Sequence, residues 1–215
     1  MIPRIIHQVW LYPPMEYEWF HTFDLHNKTF NHILWTKDNL PGNINPDVLA
    51  IIRDESIHYI LKADLIRYEL LRIFGGFYAD MDMECLKSLE PLCQYDFVCG
   101  IDQEKTTGNA FIGCSVGNAI IERVCRVALE NIKKSLKEKL DVSFVLNTSG
   151  PLMFHREIIG SGVTVFEEQY FSPVNWNGEG RVTEKSYVNH HYKGAWIKTF
   201  SMFEKVCELL RDGSC

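Results

Sequence analysis

The feature that most constrains this chain is the run from Ser56 to Phe74, SIHYILKADLIRYELLRIF, followed at once by Gly75-Gly76 and the triplet Phe77-Tyr78-Ala79. Ile57, Leu61, Leu65, Tyr68 and Leu71 recur at helical spacing, and Ile60, Ile66, Leu70 and Ile73 widen the stripe. The run therefore predicts a helix buried over most of its surface, with Lys62 at the surface that remains. Ser56 is the expected cap. The glycine pair is the expected stop, because glycine takes the left-handed backbone that closes a helix without steric cost. Phe77-Tyr78-Ala79 then reads as a strand, with Asp80-Met81-Asp82 at its end.

The other segments alternate in the same way. Ile2 to Leu11 reads as an opening strand ended by Pro13-Pro14, and Glu16 to Asn27 as a short helix. A strand is expected around His32 to Trp35, and a helix over Pro46 to Arg53 with Asn45 as its cap. Asp96 to Ile101 and Asn109 to Gly113 read as strands, and Asn118 to Lys139 as an amphipathic helix whose basic end, Lys133 to Lys139, is a solvated face. A helix from Pro151 to Ile159, strands at Val163 to Phe166 and Tyr187 to His191, and a helix from Phe200 to Arg211 complete the series. Such alternation predicts an α/β fold, a mostly parallel sheet flanked by helices. No repeat, low-complexity stretch or linker interrupts it, so residues 1–215 are expected to form one domain.

In such sheets ligands sit where loops leave the carboxyl ends of strands, which is where Asp80-Met81-Asp82 falls. Two carboxylates one residue apart can bracket a hard divalent cation, Mg²⁺ or Mn²⁺, and would point the same way if the extended geometry persisted. Taken alone, a bare acidic triplet is more often a surface acidic turn. Its context carries the argument. Asp64 and Arg67 sit one helical turn apart on the buried helix, spaced either to hold sugar hydroxyls and phosphate oxygens or to pair with each other. Asn189-His190-His191-Tyr192-Lys193-Gly194 follows a late strand, and one of its histidines could ligate the same cation, since neighbouring residues on a strand face opposite ways. Gln8-Val9-Trp10-Leu11 ends the first strand at the same sheet edge, with Trp10 placed either to stack on a planar base or to pack in the core.

Composition narrows the partners. A net charge of -6 argues against general nucleic-acid binding, though not against one nucleotide bound through a cation. The seven cysteines form no CxxC pair and lie mostly in apolar stretches, which predicts reduced, buried thiols rather than a zinc site. The N-terminal residues lack a signal-peptide pattern and no stretch is apolar enough to span a bilayer, so a cytoplasmic, soluble protein is expected. Phosphate loops of the GxxxxGK[ST] and GxGxxG types, and the GxSxG elbow, are missing from the sequence.

Taken in order, IPRIIHQVW, KADLIRYELLRIFGGFYADMDMECLKSL, SGP and NHHYKGAW resemble the glycosyltransferases of the sugar-binding DxD group. That group includes yeast-type initiating mannosyltransferases and the glucosyltransferase domains of clostridial toxins. The compact size also resembles glycosyltransferases encoded by large algal viruses. The resemblance implies a GT-A fold, a single Rossmann-like nucleotide-binding domain. It further implies transfer with retention from a nucleotide-sugar, a UDP-sugar by the match at Trp10, to a glycan or glycoprotein acceptor. By the same resemblance Asp80, Asp82 and Arg67 are catalytic, and Asp80, Asp82 and His191 hold Mn²⁺ or Mg²⁺, with His191 chosen over His190. Gln8, Trp10, Leu11, Asp64, Arg67 and Asp80 would line the donor, and Asn109 and Ser149 are added as polar residues near expected loop ends. Two other readings fit an acidic strand end: a metal-dependent phosphohydrolase, and a nucleotide-sugar-binding module without activity.

Overall fold

A computed structural model describes residues 1–11, 18–102, 105–135 and 141–193. Its central sheet contains β1 (Ile5–Val9), β2 (Asn31–Trp35), β3 (Gly76–Ala79), β5 (Phe97–Ile101), β6 (Thr107–Cys114) and β7 (Val165–Phe166), in the order β2-β1-β3-β6-β5-β7. β6 runs antiparallel to both its neighbours, and every other pairing is parallel. The expected α/β architecture with a mostly parallel sheet is present. A second, two-stranded sheet pairs β4 (Met83–Cys85) with β8 (Val188–His190) in antiparallel register.

Strand alternation divides the core between the two faces of the main sheet. Tyr78, Cys99, Ile112 and Cys114 point into one cluster, built with α2 (Pro46–Arg53), α3 (Tyr59–Phe74), α4 (Ala119–Lys134), α5 (Val142–Thr148) and α6 (Pro151–Ile158). Phe77, Val98 and Phe111 point into the other, shared with α1 (Phe20–His26), α7 (Glu168–Phe171) and the small sheet. α3 is buried along almost its whole length. Lys62 is buried too, at 1% exposure, and not on a surface as the helical pattern suggested. Its charge helps hold the Asp54 carboxyl below its ordinary range, behind the hydrogen bonds from Ser56.

The ends of α3 show how local chemistry sets the frame of the site. The helix begins at Tyr59, with the His58 ring nitrogen accepting from the Ile60 amide, and not at Ser56. Ser56 is committed elsewhere, donating its backbone N–H and its hydroxyl to Asp54 at 2.9 and 2.6 Å. At the other end Gly75 (φ 62°) and Gly76 (φ 88°) turn the chain into β3, and a Cβ on Gly76 would stand 2.6 Å from the Ile5 carbonyl oxygen. Only glycine allows β3 to lie this close to β1.

Of the described cysteines, Cys85, Cys99, Cys114 and Cys125 are buried free thiols and Cys93 is partly buried. Burial pushes Cys85 and Cys99 up to about 12, so both stay protonated and unreactive. Lys133 and Lys134 pair with Asp47 and Glu130 on the surface. Cys207, Cys215, the helix expected from Phe200 to Arg211 and the far end of the basic run lie outside the described residues.

Candidate active site

β1 and β3 run parallel and adjacent, with Ile6 opposite Phe77 and His7 opposite Tyr78, so their carboxyl ends deliver Gln8 to Trp10 and Asp80 to Asp82 to one edge. The strand does not continue through the acidic triplet. The Met83 N–H donates to the Asp80 carbonyl at 3.1 Å, and this turn brings the two carboxylates to one place where extended alternation was expected to do so. The chain then re-enters a strand as β4, whose partner β8 pairs His190 with Met83.

Asp80, Asp82 and His190 each offer a ligand atom, and these atoms all lie within 4.8 Å of one another. The histidine here is His190 and not His191. His190 Nε2 stands 3.2 Å from Asp82 Oδ1. The His191 ring turns the other way, stacks on Trp19 with centroids 3.9 Å apart, and bonds Glu84 at 3.0 Å. The register of β8 against β4 decides between them, and that register is not written in the HHYKG segment itself.

The electrostatics suit a cation. Burial on its own would push the Asp82 carboxyl up, but the charge and hydrogen bond of His190 and the Lys193 backbone amide at 2.9 Å bring it down to about 2. Burial opposes the His190 charge, and Asp82 more than offsets this, so its imidazole is raised from the ordinary value. A proton on His190 thus occupies the position between nitrogen and carboxylate that a divalent ion can take. Asp80 contributes differently. Its Oδ1 accepts from the Tyr78 hydroxyl at 2.6 Å and from Arg67 Nη1 at 2.9 Å, which leaves its other oxygen for a ligand. Two carboxylates and an imidazole fit a hard to borderline divalent ion such as Mg²⁺ or Mn²⁺.

Beneath this cluster lies a buried polar network. Arg67 reaches Asp64 at 3.2 Å, Asp80 at 2.9 Å and the Asn109 carbonyl at 2.9 Å, and its guanidinium lies over the Tyr78 ring. Burial works against its charge, and Asp80 leads the groups that restore it, so the pKa is raised and Arg67 stays a cation. Asp64 receives hydrogen bonds from Asn109 Nδ2 at 3.0 Å and Ser149 Oγ at 2.9 Å. Burial nonetheless raises it to about 6, against Arg67 and these donors. Tyr68 donates to the Ser149 carbonyl and accepts from Asn109.

The residues expected to line a donor therefore fall into two groups. Ser149 and Gln8 are fully buried, Asn109 and Asp64 nearly so, and the contacts of their polar groups run inward. At the meeting of α3, β6 and the α5–α6 junction the polar atoms of Asp64, Asn109 and Ser149 satisfy one another, while Gln8 on β1 bonds the Asp80 carbonyl and His32. Leu11 is a core residue. Trp10 is partly exposed, and its indole N–H is a buried donor without a partner among the described residues, as is Arg67 Nε. Tyr78, Tyr68 and His190 complete the cluster. The alternation that sends Tyr78 towards α3 was readable from Phe77-Tyr78-Ala79, but its hydroxyl contact with Asp80 was not.

Residues 19–98 match the family described as glycosyltransferase sugar-binding region containing DXD motif. A glycosyltransferase of Acanthamoeba polyphaga mimivirus, L373, is 28% identical over 91% of this chain and 84% of its own length. Inositol phosphoceramide mannosyltransferase 3 of Schizosaccharomyces pombe is 29% identical over 58% of this chain and 36% of its own length. Mannosyl phosphorylinositol ceramide synthase CSH1 of Saccharomyces cerevisiae is 26% identical over 89% and 50%. The chain thus spans about a third to a half of these fungal relatives. Among solved structures, PaToxG Glycosyltransferase aligns with a TM-score of 0.54 at 16% identity, over 73% of this chain and 69% of that one, a likeness of fold. Among the described residues no helix is long and apolar enough to cross a membrane. The matched segment holds α3 and the acidic turn; over that segment the chain resembles the DXD glycosyltransferases, and its fold is the GT-A fold.

Proposed function

We propose that residues 1–215 act as one catalytic domain that transfers a hexose from a nucleotide-sugar, UDP-linked, to a glycan or glycoprotein acceptor with retention at the anomeric carbon. The observation that carries this is the convergence of Asp80, Asp82 and His190 at the carboxyl end of β3, beside the partly exposed Trp10. Asp80, Asp82 and His190 would hold Mn²⁺ or Mg²⁺. A cation bound there supplies Lewis-acid stabilisation of the charge that grows on a departing diphosphate. The protein's own part is to place that charge. Arg67 fixes one oxygen of Asp80 and balances the buried carboxylates. Trp10, partly exposed at the end of β1, offers an aromatic face and an indole N–H unpartnered among the described residues, which suits a planar base with a polar rim. The UDP preference and the retaining outcome rest on the family resemblance at Trp10 and the acidic turn.

The test is hydrolysis and transfer from UDP- and GDP-sugars with Mn²⁺, Mg²⁺ or EDTA. Turnover of a UDP-sugar that requires a divalent ion and disappears in Asp82→Ala supports the reading. Full activity of Asp82→Ala in EDTA contradicts it. Phosphate release from nucleotides without dependence on the sugar would favour a phosphohydrolase instead.

A further inference from the structure

Asp80 is restrained through its backbone as tightly as through its carboxylate. Its N–H donates to the Ala110 carbonyl at 2.9 Å, and its own carbonyl accepts both from Met83 N–H, closing the acidic turn, and from Gln8 Nε2 at 3.0 Å. Gln8 is fully buried on β1. Its Oε1 accepts from His32 Nε2 at 2.9 Å, and His32 Nδ1 lies 2.9 Å from Asp24 Oδ1 on α1. The His32 ring is itself fixed, stacked on Phe20 with centroids 4.2 Å apart and flanked by Phe23. A hydrogen-bonded chain therefore runs from His32 through Gln8 to the carbonyl that begins the acidic turn, and surface Asp24 joins it when the imidazole carries both protons.

The polarity of this chain is set at its inner end. A carbonyl only accepts, so Gln8 presents its NH₂ to Asp80 and its oxygen to His32, which must carry a proton on Nε2. That bond survives in both the neutral and the charged imidazole. The Asp80 carbonyl already has one donor in Met83, so Gln8 is not needed merely to satisfy it. The second bond adds direction by fixing the plane of the Asp80–Met81 peptide, and that plane sets where Asp82 falls relative to Asp80 and His190.

We propose that Gln8 and His32 are positioning residues for the cation site: they hold the acidic turn in the shape that lets Asp80, Asp82 and His190 converge, without touching ligand themselves. The proposal rests on the reading of those three residues as the cation site. Outer-shell partners of metal ligands characteristically change affinity or activity by about 10- to 100-fold when removed.

The test compares the full chain with Gln8→Met, which keeps the volume and removes both hydrogen bonds, and with His32→Phe, which keeps the ring stack and removes the Nε2 donor. His32→Gln restores an amide N–H in reach of Gln8. Mn²⁺ affinity is read from the electron paramagnetic resonance signal of free Mn²⁺, folding from near-UV circular dichroism, and kcat and KM from donor hydrolysis. Folded Gln8→Met and His32→Phe should bind Mn²⁺ at least about 10-fold more weakly. At saturating Mn²⁺ the donor KM should stay near the wild-type value, and His32→Gln should recover most of the affinity. If Gln8→Met does not fold, His32→Phe decides. A folded variant that binds Mn²⁺ as tightly as the wild type overturns the positioning role alone, whereas a wild-type chain that binds no Mn²⁺ overturns the cation-site reading and this inference with it.

Discussion

Protonation of one buried ring should cost this fold much of its stability in mild acid. His7 is wholly buried on β1, where its Nε2–H faces the Gly75 carbonyl at 2.9 Å and its Nδ1 accepts from the Trp35 indole at 3.0 Å. The ring is therefore neutral, and a second proton would sit against the Trp35 N–H. Burial lowers its pKa from 6.5 to about 4, against the Gly75 hydrogen bond. Between those values the unfolded chain binds a proton that the folded chain refuses, so His7 destabilises the fold progressively as pH falls. Integrated from about pH 7 to about pH 4, the shift amounts to roughly 3 kcal/mol.

Asp64 acts in the opposite sense. Its folded pKa, raised to about 6, takes up a proton that the unfolded chain would release, so acid relieves its burial over much of the same window. The wild-type profile is then flatter than His7 alone would make it, and the comparison must be made against a variant. Urea unfolding of wild type and His7→Gln over that pH range isolates the histidine. The stability of His7→Gln relative to wild type should rise by roughly 3 kcal/mol as pH falls. Parallel profiles, or a wild type that gains on the variant in acid, would refute the assignment of a buried neutral His7.

Three further outcomes follow from the same structure. Arg67→Met strands Asp64 and Asp80 without their shared cation and should cost about 3–5 kcal/mol in denaturant unfolding, in addition to abolishing turnover. Gly76→Ala places a Cβ 2.6 Å from the Ile5 oxygen at a φ of 88° and should destabilise by more than about 2 kcal/mol, read as a fall in Tm. If Asp80, Asp82 and His190 hold the cation, the raised His190 proton competes with it, so Mn²⁺ affinity should weaken as pH falls, with proton release on binding in calorimetry.

What the sequence made legible was local. Asn45 caps α2 at Pro46 because an asparagine side chain can accept from the Asp47 amide whatever the rest of the chain does. The stop of α3 at Gly75 and the start of β3 follow from glycine's backbone freedom in the same way. What was not legible was set by distant contacts. β4 has three residues and exists because β8, about a hundred residues later, pairs with it, so no periodicity announced it. The same pairing brings His190, and not His191, beside Asp82. Lys62 looked superficial on a helical wheel, yet α3 has no open face, since the sheet, α2, α4 and α5 all pack on it. Asn109, Ser149 and Gln8 were recognised as polar residues near strand and helix ends, but only the tertiary packing turns their groups inward.

The most direct measurement is Mn²⁺ binding, with and without UDP, to wild type, Asp82→Ala, His190→Ala and His191→Ala. If Asp80, Asp82 and His190 grip one cation, Asp82→Ala and His190→Ala should lose binding while His191→Ala keeps it. Tight binding by His190→Ala, together with loss in His191→Ala, would contradict the account.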